Sequence, residues 1–196
     1  MPKYLLRTFI IVTTIFLFFS FTFFLYVRGV QHPRLPVLGQ VEDFQLYDSE
    51  GNAFSSARLH GKVWIADFFF TTCGDICPML SKNMAALSRS FELERGVILV
   101  SITVNPEFDS PAVLEQYKQK MKTNNPRWYF LSGSREDISR LAIHSFKLGS
   151  IEEPIFHSAK FALVDRYGLI RGYYEGTQKE ELNQIFKDAS RLLNER

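Results

Sequence analysis

The two cysteines of this chain, Cys73 and Cys77, have three residues between them. Two neighbouring thiolates can close a disulfide or bind a soft metal ion. A pair with two intervening residues would indicate thioredoxin-type exchange, and the wider spacing here keeps metal binding open. A short structural disulfide, or two buried cysteines that act as small apolar side chains, is the alternative interpretation.

The cysteines follow an apolar stretch that predicts a buried strand. Lys62–Phe70 is rich in aromatic residues, and the polar pair Thr71-Thr72 ends it. Pro78 is acceptable in the first turn of a helix, which we predict to run from about Pro78 to Leu93. In open α/β sheets ligands bind at the carboxyl ends of strands. The start of a helix also favours the thiolate form of a cysteine.

The rest of the chain alternates predicted strands and helices. The predicted elements, in chain order, are a hairpin from Val41 to about Phe54, the strand Lys62–Phe70, the helix Pro78–Leu93, the strand Val97–Val104, a helix to about Lys122, the strand Arg127–Leu131, a helix to about Leu148, a hairpin of Lys160–Val164 and Leu169–Tyr174, and the helix Lys179–Leu193. We expect Ser110 and Ser134 to cap the helices that follow them. This order predicts an α/β fold, a thioredoxin-like sandwich with a central mixed sheet flanked by helices.

Among the four histidines, His157 is the one that this topology brings towards the cysteines. It precedes the strand Lys160–Val164, in a loop that should lie beside the end of the first central strand. Two thiolates and an imidazole suit Cu(I), so we predict a metal site of Cys73, Cys77 and His157. A hydrogen-bonded loop histidine without a metal is the alternative.

The stretch Thr8–Val27 has 20 residues and no charge. A helix of this length spans a bilayer core of roughly 30 Å. The apolar part of a cleaved signal peptide is shorter and is followed by small residues, whereas bulky residues precede Arg28 here. We therefore expect residues 1–30 to form a cytoplasmic flank and an uncleaved transmembrane anchor, residues 31–40 a linker, and residues 41–196 the folded domain.

The charged residues exclude nucleic acid as a partner and do not decide the orientation of the anchor. Four basic residues precede position 35, which leaves 19 basic residues against 21 acidic ones in the remainder. Such a domain has no electrostatic footprint for nucleic acid. Basic residues flank both ends of the apolar stretch, so the expectation that the domain lies outside the cytoplasm comes from the thiol pair.

The residues around the cysteines resemble those of a known family. The stretch Asp67–Pro78 (DFFFTTCGDICP) is similar to the copper-site motif of the Sco (SenC-type) proteins, which are membrane-anchored chaperones of cytochrome c oxidase assembly with a thioredoxin-like fold. The resemblance runs from about Gly39 to the end of the chain. It includes the loop Asn105-Pro106-Glu107 and the histidine before the strand Lys160–Val164.

The resemblance implies a ligand set. Cys73 and Cys77 match the two cysteine ligands of the family, and His157 matches the histidine ligand. Asp75 matches an aspartate often found between the cysteines and is not assigned as a ligand. Gly74 departs from the family, in which many members have proline at this position.

The resemblance also implies two functions. The first is a copper-binding assembly factor that delivers copper to the CuA site of cytochrome c oxidase subunit II. The alternative is a membrane-tethered thiol–disulfide oxidoreductase that acts on the cysteines of that subunit, with Cys73 attacking and Cys77 resolving. A peroxidase is a weaker third hypothesis, because the sequence offers no set of residues that would activate a peroxide-attacking cysteine.

The expected partners and location combine the resemblance with the apolar stretch, the thiol pair and the distribution of charge. The partners are oxidase subunit II, the membrane through the N-terminal helix, and a copper donor or thiol reductase protein, with no nucleic acid. The expected location is the bacterial inner membrane, crossed once, with the domain on the periplasmic side. In a eukaryote it would be the mitochondrial inner membrane.

Overall fold

A computed structural model gives the fold and describes residues 3–29, 34–74, 76–123, 125–148 and 159–195. The chain divides into two compact units, residues 1–34 and residues 35–196. The first unit contains one helix, α1 (Lys3–Gly29). The second contains a sheet with helices on both of its faces.

Helix α1 is long and apolar enough to cross a membrane, by length and composition alone. Its segment Arg7–Phe24 has a mean hydropathy of 1.8. The hydroxyl groups of Thr8 and Thr13 donate hydrogen bonds to the carbonyl groups of Tyr4 and Phe9, one turn earlier. These threonines therefore satisfy their polar groups within the helix, as a lipid environment requires. The predicted apolar helix at the N-terminus is present.

The described residues of the second unit form eight strands and four α-helices. The strands are β1 (Gly39–Gln40), β2 (Gln45–Asp48), β3 (Ala53–Ser55), β4 (Val63–Phe69), β5 (Val97–Thr103), β6 (Trp128–Ser132), β7 (Lys160–Val164) and β8 (Leu169–Glu175). The helices are α2 (Cys77–Ser90), α3 (Pro111–Lys120), α4 (Arg135–Arg140) and α5 (Lys179–Asn194). A 3₁₀ turn at Ser56–Leu59 and a π-helical turn at Leu141–Ser145 complete the unit.

The strands form one mixed sheet in the order β1-β8-β7-β4-β5-β6-β2-β3. The central strands β4, β5 and β6 are parallel, and β7 runs antiparallel to β4 on its other side. Because β7 is antiparallel, it begins at the edge of the sheet where β4 ends. Ala159, directly before β7, therefore lies at the same edge as the cysteines that follow β4.

Both faces of the central strands are buried, which explains their nearly continuous apolar sequences. One face packs against Ile138 of α4 and Phe146, which follows the π-helical turn. The opposite face packs against the three longer helices of this unit, with Leu80 in α2, Leu114 in α3 and Ile185 in α5. The mixed sheet between two helical layers confirms the predicted thioredoxin-like sandwich.

Two helix starts follow the capping rule. The side chain of Ser134 accepts a hydrogen bond from the amide of Asp137 at 3.0 Å, and Ser110 accepts one from the amide of Val113 at 3.4 Å. Both serines thereby satisfy an amide group that the first turn leaves without a partner. The predicted caps are confirmed.

The structure differs from the sequence-based prediction at the helix after Ser134. The regular helix ends at Arg140, and a π-helical turn over Leu141–Ser145 replaces its predicted continuation to Leu148. The wider turn accommodates an extra residue, and Phe146 then contacts Trp64 and Phe68 edge to face in the core. Packing of the Phe146 ring accounts for the change of helix type.

The sheet also begins earlier than its predicted first strand. Gly39–Gln40 pair with β8 as β1, and the amide of Leu38 donates to the carbonyl of Ile170 at 2.8 Å. These residues lie in the segment 31–40 that we expected to be a linker. The exposed edge of β8 supplies the hydrogen-bond partners that a two-residue strand cannot provide for itself.

Candidate metal centre

The cysteines lie on the loop that joins β4 to α2. The amide of Cys73 donates to the carbonyl of Phe70 at 3.3 Å, which folds the chain back directly after the strand. Cys77 is the first residue of α2, and Pro78 occupies the first turn as predicted. The carbonyl of Ile76 accepts hydrogen bonds from Met79 and Leu80, both at 3.1 Å. The end of a strand and the start of a helix thus hold the two ends of the loop.

The structure brings the two sulfur atoms together. Cys73 is partly exposed and Cys77 is buried, with 5% of its surface accessible, and no disulfide bond joins them. A side-chain hydrogen bond joins them. Two soft donors in contact, one of them open to solvent, form a site that a soft metal ion or a disulfide partner can reach from one side.

The environment of Cys77 opposes its ionisation. The pKa of the Cys77 thiol is raised to about 12, mainly by burial and also by the hydrogen bond with Cys73. A backbone hydrogen bond with Phe70 lowers the pKa, while the charges of Cys73 and Asp67 raise it. The expected effect of the helix start on the thiolate therefore does not prevail at Cys77, because desolvation is the largest influence on its pKa.

A buried carboxyl group acts on the site from within the sheet. Asp67 lies on β4, six residues before Cys73, and is 1% exposed. Burial raises its pKa to about 7, against the lowering effect of the hydroxyl of Ser101, which donates to its Oδ1 at 2.5 Å. We did not assign Asp67 a role from the sequence. The signal was available, since an acidic residue is almost never fully buried unless it is paired.

A second buried carboxyl group touches the start of the cysteine loop. Asp109 accepts a hydrogen bond from the amide of Thr71 at 3.1 Å and another from the hydroxyl of the same threonine. The hydroxyl of Thr103 donates to it as well. We assigned Asp109 no function from the sequence. No local pattern predicts this contact, because its partners are 38 residues apart in the chain.

The third predicted ligand, His157, and Asp75 lie outside the described residues. Ala159, two residues after His157, is described and packs against the same core cluster as Cys73. Its carbonyl accepts a hydrogen bond from the amide of Gly176 at 2.7 Å, which holds the entry to β7. Among the residues that the structure describes, no group of three or more potential metal-binding side chains is gathered.

Two of the other histidines lie away from this site. His60 precedes β4, at the end of the strand opposite the cysteines, and its Nε2 is 3.8 Å from Oδ1 of Asp43. His144 is exposed on the π-helical turn. Neither is brought towards the thiols by the elements that carry it.

Comparison with known proteins decides the family. The family model described as SCO1/SenC matches residues 38–194. This chain belongs to the SCO1/SenC family. It is 32% identical over 172 residues to the SCO1 protein homolog of Bacillus subtilis (strain 168), with 85% of this chain and 89% of that protein covered.

Solved structures of Sco proteins share the fold. The structure of BsSco, described as a member of the Sco family of cytochrome c oxidase assembly proteins and as carrying a disulfide switch, has a TM-score of 0.74 and 29% identity. It covers 85% of this chain and 100% of its own. ScoI of Bradyrhizobium japonicum, solved with copper bound, has a TM-score of 0.64 and 26% identity, covering 79% of this chain and 99% of its own.

Proposed function

We propose that this protein is a membrane-anchored copper-binding assembly factor that delivers copper to the CuA site of cytochrome c oxidase subunit II. The observation that carries the proposal is the contact between the thiols of Cys73 and Cys77 at the carboxyl end of β4. Two sulfur donors suit Cu(I), which prefers soft ligands. The partial exposure of Cys73 leaves a side from which copper can be passed to another protein.

His157 completes the proposed site as the third ligand. Strand β7 is antiparallel to β4, so Ala159 and Lys160 lie at the end of β4 that carries the cysteine loop. The packing of Ala159 and Cys73 against one core cluster supports this arrangement. A trigonal set of two thiolates and one imidazole would hold Cu(I) without a closed cage, which favours transfer.

The domain organisation and location form part of the same proposal. Residues 1–30 would be the cytoplasmic flank and anchor, residues 31–40 the linker, of which Gly39 and Gln40 also form β1, and residues 41–196 the copper-binding domain. Helix α1 has the length and composition for the anchor. The domain would face the periplasm, or the intermembrane space in a mitochondrion, where thiol pairs cycle between their two redox states.

A thiol–disulfide oxidoreductase is the second candidate, and the asymmetry of the two cysteines favours it. Cys73 is the more accessible thiol, while the pKa of Cys77 is raised to about 12 by burial. The Cys73 thiolate would attack a disulfide of subunit II and form a mixed disulfide. The Cys77 sulfur would then displace the second target thiol, so that the target is reduced and this protein is oxidised to its own disulfide.

The first experiment measures Cu(I) binding by the full chain in detergent, reduced, in competition with a chromophoric chelator. We expect one copper ion per chain. His157→Ala should weaken binding by at least about tenfold, the scale of effects at metal sites, without unfolding the domain. His144→Ala is the matched control, since His144 is exposed on another element. Equal Cu(I) affinities of the His157→Ala variant and the unmodified chain would rule out the three-ligand site.

A second experiment separates delivery from thiol exchange. A strain that carries Cys73→Ser should lose oxidase activity under either function. Rescue by added copper supports delivery, because the acceptor can then load without the chaperone. Rescue by a thiol reductant, with no effect of copper, supports the oxidoreductase instead.

A further inference from the structure

The side chain of Asp109 joins the loop after β5 to the loop that carries the cysteines. It is completely buried, with 0% exposure. Its carboxyl oxygens accept hydrogen bonds from the hydroxyl of Thr103, from the amide of Thr71 at 3.1 Å and from the hydroxyl of Thr71. A buried acceptor with three donors is a strong and directional contact.

The position of Asp109 is set by its own loop. The amide of Asp109 donates to the carbonyl of Asn105 at 2.9 Å, and the amide of Asn105 donates to the hydroxyl of Thr103 at 3.0 Å. Ser110, the next residue, caps α3. The carboxyl group is therefore held on a support that does not include the cysteines.

Thr71 is the point where the chain leaves the sheet. At the end of the pairing between β4 and β5, the amide of Val104 donates a hydrogen bond to the carbonyl of Phe69 at 2.8 Å. Beyond it, Cys73 has a backbone bond to Phe70 at 3.3 Å, which is long for this type of bond. The two bonds from Thr71 to Asp109 thus fix the direction in which the chain runs to Cys73.

We propose that Asp109 is a positioning residue for Cys73. By holding Thr71, it keeps the thiol of Cys73 beside Cys77 in the geometry that binds Cu(I) and that closes the disulfide. The copper part of this inference rests on the proposed function. The disulfide part does not, because it needs only the two cysteines, which the structure brings into contact.

The restraint should act on both reactions in the same direction. Loosening the loop enlarges the volume that the Cys73 thiol explores, so the effective concentration of one sulfur near the other falls. A metal ion bound by both sulfurs and a bond between them each depend on that concentration. Removal of the restraint should therefore weaken copper binding and make the disulfide easier to reduce.

The test uses the full chain in detergent, with Asp109→Ala and Asp109→Asn. One readout is Cu(I) affinity. The other is the equilibrium in which the dithiol and oxidised glutathione form the protein disulfide and two molecules of reduced glutathione. Asp109→Ala should lower both the association constant for Cu(I) and the equilibrium constant for disulfide formation by about tenfold or more. This size is in line with the loss of a buried hydrogen bond to a charged group. Asp109→Asn, which keeps a neutral acceptor, should fall between Asp109→Ala and the unmodified chain.

Two matched variants separate positioning from general stability. Glu107 lies in the same loop as Asp109, and Glu107→Gln breaks its exposed ion pair with Arg135 of α4. Thr103→Val removes a bond to Asp109 and the acceptor of the Asn105 amide, but it leaves both bonds between Asp109 and Thr71 and the bond from the Asp109 amide to Asn105. Thr103→Val should lower the melting temperature, and both variants should change the two constants less than about threefold, which is under 1 kcal/mol.

Each outcome decides the role of Asp109. Unchanged constants in Asp109→Ala overturn the inference, and so do equal losses in Thr103→Val and Asp109→Ala, because the effect is then one of stability. If Asp109→Ala does not fold, the comparison of Asp109→Asn with Thr103→Val takes its place. If the unmodified chain binds no Cu(I), the proposed function fails, and the disulfide equilibrium still tests the positioning role.

Discussion

Asp67 and Ser101 face each other in register across the parallel strands β4 and β5, and the hydroxyl of Ser101 donates to the carboxyl group of Asp67 at 2.5 Å. The indole nitrogen of Trp128 on β6 donates to the same hydroxyl at 3.0 Å. A polar chain thus crosses three strands inside an apolar core. It ends at a carboxyl group whose charge raises the pKa of Cys77.

The first prediction is a pH dependence of stability that originates from Asp67. Its pKa rises from the ordinary 3.8 to about 7 in the folded protein. Between these values the folded state keeps a proton that the unfolded chain has released, so the free energy of unfolding falls as pH rises from about 4 to about 7. Asp67→Asn removes this dependence. Relative to that of the unmodified chain, the free energy of unfolding of the variant should rise by up to ~4 kcal/mol between pH 4 and pH 8.

The measurement is denaturant unfolding followed by the fluorescence of the two tryptophans, Trp64 and Trp128, which are both buried. The titratable neighbours do not interfere, since burial raises the pKa values of Cys77 and Tyr117 far above this range. Ser101→Ala is the companion variant. Loss of the hydroxyl that lowers the pKa of Asp67 should extend the pH-dependent range upwards. Parallel stability curves for Asp67→Asn and the unmodified chain would contradict the prediction.

The second prediction concerns the reactivity of the two thiols. In the reduced protein at pH 8, iodoacetamide should modify Cys73 at least about tenfold faster than Cys77. Cys77 is buried and has a pKa of about 12, so very little of it is thiolate at pH 8. A thiolate of high pKa is the stronger nucleophile, but this offsets the low thiolate fraction only in part. Peptide mass spectrometry of briefly treated protein gives the ratio. The urea-unfolded chain is the control, in which both sites should react alike, and a faster reaction at Cys77 in the folded protein would refute the ordering.

The third prediction links copper to the redox state of the pair. Under the proposed function Cu(I) needs both sulfurs as thiolates, and a disulfide removes both at once. Oxidation of Cys73 and Cys77 should abolish tight copper binding. Conversely, bound copper should protect both thiols from alkylation at neutral pH. Chelator competition on the oxidised chain and mass spectrometry on the copper-loaded chain measure the two effects, and tight binding by the oxidised form would exclude the coupling.

Much of the frame around the cysteines could be predicted from the sequence. An apolar run followed by a polar pair gave β4 and its end, and Pro78 marked the first turn of α2. The caps at Ser110 and Ser134 follow from local chemistry that a few neighbouring residues contain. Such features depend on short-range interactions, which the sequence displays directly.

Features that depend on distant contacts could not be predicted. The π-helical turn follows from the fit of Phe146 against Trp64 and Phe68, and β1 exists because β8 offers it an edge. The raised pKa of Cys77 depends on burial by the assembled helices and sheet. A helix rule applied to the sequence alone gave the opposite direction, because desolvation is a property of the folded domain.

The last prediction concerns a buried arginine that holds the first residues of the second unit. Arg171 on β8 donates to Oδ2 of Asp165 at 2.8 Å and to the carbonyl groups of Leu35 and Pro36 at 2.6 and 3.1 Å. Arg171→Met keeps the apolar stem of the side chain but leaves the buried Asp165 without its cation. Breaking a buried pair in this way costs about 3 kcal/mol or more, and Leu35 and Pro36 lose their hydrogen bonds to Arg171.

Arg135→Met is the matched control for this variant. Arg135 forms an equally close pair, with Nε 2.6 Å from Glu107, but more than half of each side chain is exposed. Solvent screens such a pair, so its loss should change the free energy of unfolding by less than ~1 kcal/mol. Guanidinium chloride unfolding of the full chain in non-ionic detergent, read from tryptophan fluorescence, compares the two variants. A loss in Arg171→Met no larger than in Arg135→Met would show that the backbone amides of Tyr167 and Leu169, which also donate to Asp165, suffice to hold its charge.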